Sequence, residues 1–198
     1  MKRYLIGLVA VLIVVTIIVI YITAQQRESR VNVSRAAVIT ELRALNRLET
    51  SSFTIEKIVD AQTATEGRLQ EFLFGDRLLL IAHGEVIAGI DLSKLEESNI
   101  QIQEKTIMLT LPAPEILIVS IDNTKTEVYD RQTGIFSKGD KDLEAEARIQ
   151  AEQSIRLAAC EAGILDVAGE NARKQLTALF RTLSFETITV SIPAAFCQ

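Results

Sequence analysis

The spacing of apolar residues changes several times along this chain, and each change marks an element. From Tyr4 to Ile22 (YLIGLVAVLIVVTIIVIYI) the run is apolar, with no charge and no proline. At about 1.5 Å per residue it reaches roughly 28 Å, the hydrocarbon thickness of a bilayer. Such a run has no polar face to show to water, so a transmembrane helix is expected. Tyr4 and Tyr21 stand at its two ends, where aromatic rings favour the interface.

After a polar collar (QQRESRVNV, 25–33), Ser34 is placed to cap a helix through Glu49. Val38, Leu42 and Leu45 share one face, which suits either a short stalk or a helix packed on its own domain. Thr50-Ser51-Ser52 is expected to break this helix. Period-two alternation then predicts strands from Phe53 and over 76–81 and 85–90, the latter two continuous or paired across His83-Gly84. Residues 62–75 read as a loop with a short helix. Alternation over 99–103 and 106–111 predicts a hairpin around Glu104-Lys105. Pro112 and Pro114 end it. Strands are also expected over 115–121 and, turned back by Asp122–Lys125, over 126–130.

From Asp142 the period becomes helical. Ala147, Ala151, Ile155 and Ala158 form a small-residue stripe, and Gly163 is a natural stop. A second helix carries Leu165, Ala168, Ala172, Leu176, Leu179 and Leu183 on one face, and 185–192 alternates as a last strand closed by Pro193. The predicted fold is α+β: an N-terminal transmembrane helix, then a mostly antiparallel sheet covered by two C-terminal helices. The expected organisation is 1-24 membrane anchor, 25-50 collar and stalk helix, and 51-198 a single α+β domain.

The segments VIAGIDLSKL (Val86 to Leu95), LPAPEIL (Leu111 to Leu117), Tyr129-Asp130 with Thr133-Gly134-Ile135-Phe136, and AEQSIRLAACEAGILDVAGENA (Ala151 to Ala172) resemble the bacterial domain-of-unknown-function family 4230. The resemblance covers nearly the whole chain after the anchor. It implies an architecture and a membrane tether, and brings no catalytic residue.

Lys2 and Arg3 precede the apolar run, and Arg27, Arg30 and Arg35 follow it. The immediate Lys-Arg pair on a very short tail favours a cytoplasmic N-terminus with the domain outside. Ile22-Thr23-Ala24 also permits cleavage as a signal peptide, although the run exceeds the usual ~7–15-residue core of one. Past the anchor, 19 basic residues face 26 acidic ones. That balance disfavours nucleic acid, whose phosphates need a basic surface. Cys160 and Cys197 are the two cysteines, without a CxxC or Cys/His cluster, so no zinc site is expected. Their pairing depends on export and stays open.

Candidate chemistry is thin. His83 is the sole histidine and reads as a turn residue, so no triad or His-based metal site is expected. Ser93-Lys94 lacks the SxxK spacing of a dyad. Glu96/Glu97 and Asp140/Asp142 are acidic pairs without a calcium-loop pattern; the second pair suits a helix N-terminus. Gly84 and Gly89 belong to no phosphate-binding fingerprint and suit a bulge or close packing. Alternation separates Tyr129 and Arg131 from Asp130. No catalytic, cofactor-binding or metal-binding residue is assigned, and no cofactor. The expected partners are the lipid bilayer, through Tyr4 to Ile22, and a protein partner or homo-oligomer. The sequence therefore suggests a non-enzymatic, membrane-tethered binding or assembly module of the cell envelope. The alternatives are a small-ligand or lipid-binding domain with a pocket between sheet and helices, or a carboxylate-dependent envelope hydrolase.

Overall fold

The computed structural model describes residues 14–18, 35–64 and 67–197. The chain divides into two units, Met1–Ser34 and Arg35–Gln198. In the first, residues 14–18 are helical, and Val14, Val15, Ile17 and Ile18 are half exposed or more. The rest of the anchor expected at Tyr4 to Ile22, and the collar, lie outside the described residues. Among the described residues no helix is long and apolar enough to cross a membrane.

The second unit opens with α1 (Arg35–Ala44), which buries Val38, Ile39 and Leu42. It packs on the domain beside two 3-10 turns, Leu92–Lys94 and Glu97–Asn99. Arg43 Nε donates to the Leu95 carbonyl at 2.7 Å. The helix is thus packed on its own domain, the second of the two arrangements its pattern allowed. It also stops earlier than expected. Asn46 takes the left-handed conformation (φ 57°), and β1 (Arg47–Gln62) begins at once.

Thr50-Ser51-Ser52 therefore lies inside a strand and breaks no helix. A bulge between Glu49 and Ser51 leaves Thr50 over, and that residue is tied elsewhere. Its hydroxyl donates to Ala168 O at 2.8 Å, and Asn171 Nδ2 donates to its carbonyl at 2.9 Å. Polar strand residues here mark a seam with a helix, which one-dimensional reading takes for a turn.

After α2 (Arg68–Phe74), β2 (Asp76–Asp91) pairs with β1 along nearly its whole length, and His83-Gly84 does not interrupt it. The other edge of β2 is shared. β5 (Glu115–Ile121) pairs antiparallel with residues 84–89, and β6 (Glu127–Thr133) pairs antiparallel with 76–81. β5 and β6 are thus collinear, and the expected hairpin between them does not form. The gap falls at His83. There Asp122 N donates to His83 O at 2.8 Å, and His83 N donates to Thr126 Oγ1 at 3.1 Å, so the backbone of β2 stays satisfied.

β3 (Ile100–Gln103) and β4 (Thr106–Thr110) form the expected hairpin, with Glu104 at φ 49°. A second sheet arises because β7 (Thr187–Ser191) lies parallel to β4. Between β6 and β7 run α3 (Leu143–Glu161) and α4 (Ile164–Thr182), both packed on β1 and β2. On α3 the buried stripe is Leu143, Ala147, Ala151, Ile155 and Ala159, so Ala159 replaces the expected Ala158. The alanines let α3 lie close to the sheet, and Leu78, Leu80, Ala82, Val86 and Ala88 face it with no exposure. Gly84 belongs to the same contact: a Cβ there would stand 2.8 Å from Ile155 Cδ1. On α4, Leu165, Ala168, Ala172 and Leu176 are buried as expected, and Phe180 completes the stripe. Leu179 and Leu183 are more than 40% exposed instead.

Cys160 on α3 and Cys197 in the C-terminal tail form a disulfide, with Cα atoms 6.0 Å apart. It holds down residues after β7 that carry no regular structure, and Ala195 packs against the core.

Candidate functional site

The residues singled out for chemistry do not converge. His83 stands mid-strand on β2, with Nδ1 3.6 Å from Glu56 Oε2 on β1. It is not a turn residue. Ser93 and Lys94 both turn to Asp91. Ser93 Oγ donates to Asp91 Oδ1 at 2.5 Å, which holds Asp91 below the usual carboxylate range. Lys94 Nζ reaches both Glu115 oxygens at 2.9 Å, which raises its pKa, and a serine–lysine pair is not built. Glu96 exchanges capping hydrogen bonds with Asn99 around Glu97. Asp140 Oδ1 accepts from Asp142 N at 2.9 Å at the start of α3. Gly89 lies at the bulge end of β1, where a Cβ would stand 2.1 Å from Leu48 O. Among the described residues, no three His, Cys, Asp or Glu side chains gather in a metal-holding group.

Tyr129 and Arg131 do part from Asp130, and by more than alternation. Pairing shifts between Leu79 and Leu80, so that Asp130 and Val128 have partners and Tyr129 is left over, 72% exposed. Arg131 reaches Asp76, a buried carboxylate at the start of β2. Nε donates to Oδ1 at 3.1 Å and Nη2 to Oδ2 at 2.6 Å. Asp140 N donates to Oδ2 at 2.7 Å, and Arg131 Nη2 also reaches Asp140 O at 2.5 Å. The guanidinium, with these amides, holds the Asp76 carboxyl below its ordinary value. This knot ties β2, β6 and the approach to α3 together. It spends its hydrogen bonds internally and offers nothing to a substrate.

The knot sits beside a surface whose composition calls for an explanation. α2 buries none of its residues. Leu69, Phe72 and Phe74 on α2, with Ile135 and Phe136 from the turn after β6, are 73%, 63%, 55%, 65% and 66% exposed. Leu69, Phe72 and Leu73 have the spacing of one helical face, of which Leu69 and Phe72 look to solvent while Leu73 is half-buried. The tip is nonetheless well fixed. Gly134 N donates to Gly75 O at 2.7 Å and Phe136 N to Leu73 O at 2.8 Å. A Cβ on Gly134 would stand 2.6 Å from the Leu73 carbonyl carbon, so only glycine allows this backbone seam. The Phe74 and Phe136 rings lie 6.1 Å apart. Beside them a shallow cleft of about 340 Å³ is lined by Arg68, Glu71, Phe72, Thr133 and Ile135 among others.

The tip lies at one end of the long β1/β2 pair, and α1 packs at the other, beyond the Arg47–Asp91 pairing. At about 3.3 Å per residue, sixteen-residue strands separate the two ends by roughly 50 Å. In the sequence, the apolar residues of 69–74 were visible, but their exposure was not. It depends on the turn at 134–136, which the collinear run of β5 and β6 delivers.

Nothing among curated proteins or solved structures matches this chain. The family model described as "Protein of unknown function (DUF4230)" matches residues 40–190, which runs from within α1 to β7 and takes in both sheets, both long helices and the tip. The chain belongs to that family.

Proposed function

We propose that this protein is a membrane-tethered, non-enzymatic binding module of the cell envelope, and that it engages its partner through the apolar tip. The observation that carries the reading is the exposed face of Leu69, Phe72, Phe74, Ile135 and Phe136, held rigid by main-chain hydrogen bonds. Soluble domains leave large apolar side chains grouped in this way mainly where something docks. A preformed surface also saves the ordering entropy of binding. The contrast with the groups singled out for chemistry supports a binding role: Ser93, Lys94, Asp76 and Asp140 are held in local pairs and caps.

The tether is the apolar run from Tyr4 to Ile22, which acts as a single-pass transmembrane helix. Its length and uniform apolarity support this. The disulfide supports an extracytoplasmic domain, since such bonds persist in oxidising compartments. Within the domain the apolar tip lies roughly 50 Å along the sheet from α1.

Chemical crosslinking of the full-length protein in its native membranes, followed by purification, tests this. The reading expects a protein adduct that F72E/F136E loses. A tip variant that leaves every adduct unchanged contradicts it.

A further inference from the structure

Resting on that reading, we propose that the partner at the tip is a second copy of this chain, docked about a two-fold axis through α2. Two observations select this occupant. The first is area. A whole aromatic side chain offers roughly 150–250 Å². At their observed exposures Leu69, Phe72, Phe74, Ile135 and Phe136 therefore present about 500–700 Å². That is at or above the roughly 300–600 Å² of the largest patch on a typical monomer. Two such faces bury about 1,000–1,400 Å², which meets the ~1,000 Å² threshold for a specific interface.

The second is charge. Arg68 and Glu71 lie three residues apart on one flank of the Leu69–Phe72 face of α2, and neither forms a direct ion pair among the described residues, although Glu71 stands near enough to Arg77 to help raise its pKa. A surface with one cation and one anion three residues apart is complementary to itself. When α2 lies antiparallel on its copy, Arg68 of each helix meets Glu71 of the other, and both Leu69–Phe72 pairs meet in the centre. A bilayer is a poorer occupant of the same surface. Glu71 would then enter the interface, and the only cations beside it are Arg68 and Arg77, the latter already paired with Asp60, which make a thin cationic collar for lipid headgroups among the described residues. The domain beyond the anchor is acidic overall, with 19 basic against 26 acidic residues, which gives an anionic surface further reason to repel it.

The test uses the full-length protein in detergent, with mass measured by sedimentation across a concentration series. The wild type is expected to form dimers. F72E should weaken the dimer by at least ~30-fold, as loss of a central anchor does. R68E and E71R should each weaken it about tenfold, and R68E/E71R together should restore it to within about threefold of wild type. F136C adds a second readout. Cys160 and Cys197 are paired, so position 136 would carry the lone free thiol among the described residues, and mild oxidation should give a disulfide-linked dimer that I149C does not. A monomer at every concentration, a dimer indifferent to F72E, or a double reversal no better than its parents overturns the proposal. If tip adducts in membranes run only to another protein or only to lipid, the second-copy assignment falls. Adducts to another protein leave the binding reading standing, whereas a tip that reacts with nothing overturns both.

Discussion

Arg131 grips Asp76 with two nitrogens, Nε at 3.1 Å and Nη2 at 2.6 Å, and so fastens the start of β2 to the end of β6 beside the apolar tip. The carboxylate side chain is 1% exposed and the guanidinium 34%. Removing the carboxylate strands a partly buried cation, which costs about 2–3 kcal/mol, less than a fully buried pair because Arg131 keeps some water. For a chain of this size D76N should lower Tm by roughly 4–10 °C, read by thermal denaturation.

The same pair sets a pH dependence. The folded-state pKa of Asp76 is lowered by Arg131, so its stabilisation is fully present above the unfolded value near 3.8 and is lost as pH falls through the folded value. Below about pH 4, wild type should lose stability more steeply than D76N, in denaturant titrations at matched ionic strength. Parallel curves would show that Asp76 does not carry this acid sensitivity.

Gly89 and Leu48 approach closely across β1 and β2, beside the bulge at Glu49–Ser51. A methyl group at position 89 meets Leu48 O at 2.1 Å and Leu117 Cδ1 at 2.9 Å. G89A is therefore expected to destabilise by about 1–3 kcal/mol through overpacking. As a control, G67A should be limited by its φ of 98°, because nothing lies within 4 Å of the added Cβ.

The disulfide closes a loop of sequence separation 37. Its removal by C160S/C197S should cost up to about 4 kcal/mol if chain entropy governs. Reductant should lower the Tm of the wild type and leave the double variant unchanged. Formation of the bond in cells reports compartment as well. An alkylation assay on protein from unbroken cells should find both thiols blocked, and free thiols there would contradict the extracytoplasmic placement.

How much of this fold was legible in the sequence follows from the range of the signals. The hairpin around Glu104-Lys105 rests on local periodicity and could be read directly, as could most of the α3 stripe (Ala159 taking the place of Ala158) and the first turns of the α4 face, up to Leu176. β1 was misread at Thr50-Ser51-Ser52 because a polar triplet looks like a turn unless the helix that takes its hydrogen bonds is known. The β5–β6 hairpin failed because Asp122–Lys125 forms a good local turn, with Thr124 holding Asp122 down to about 2. That turn is a bridge over His83, and it does not reverse a ladder. The parallel pairing of β7 with β4 and the meeting of Arg131 with Asp76 are long-range events with no local mark. The tip belongs with them: Phe72 and Phe136 are ordinary core candidates until the fold leaves them outside.

What the tip touches decides the proposed function. A photoreactive residue at position 72 of the full-length protein, illuminated in native membranes, reads that contact directly, with the equally exposed position 149 on α3 as the reference. A discrete protein adduct of twice the chain's mass is expected from position 72, and none from 149. Equal labelling from both positions, or no adduct from 72, would contradict that function.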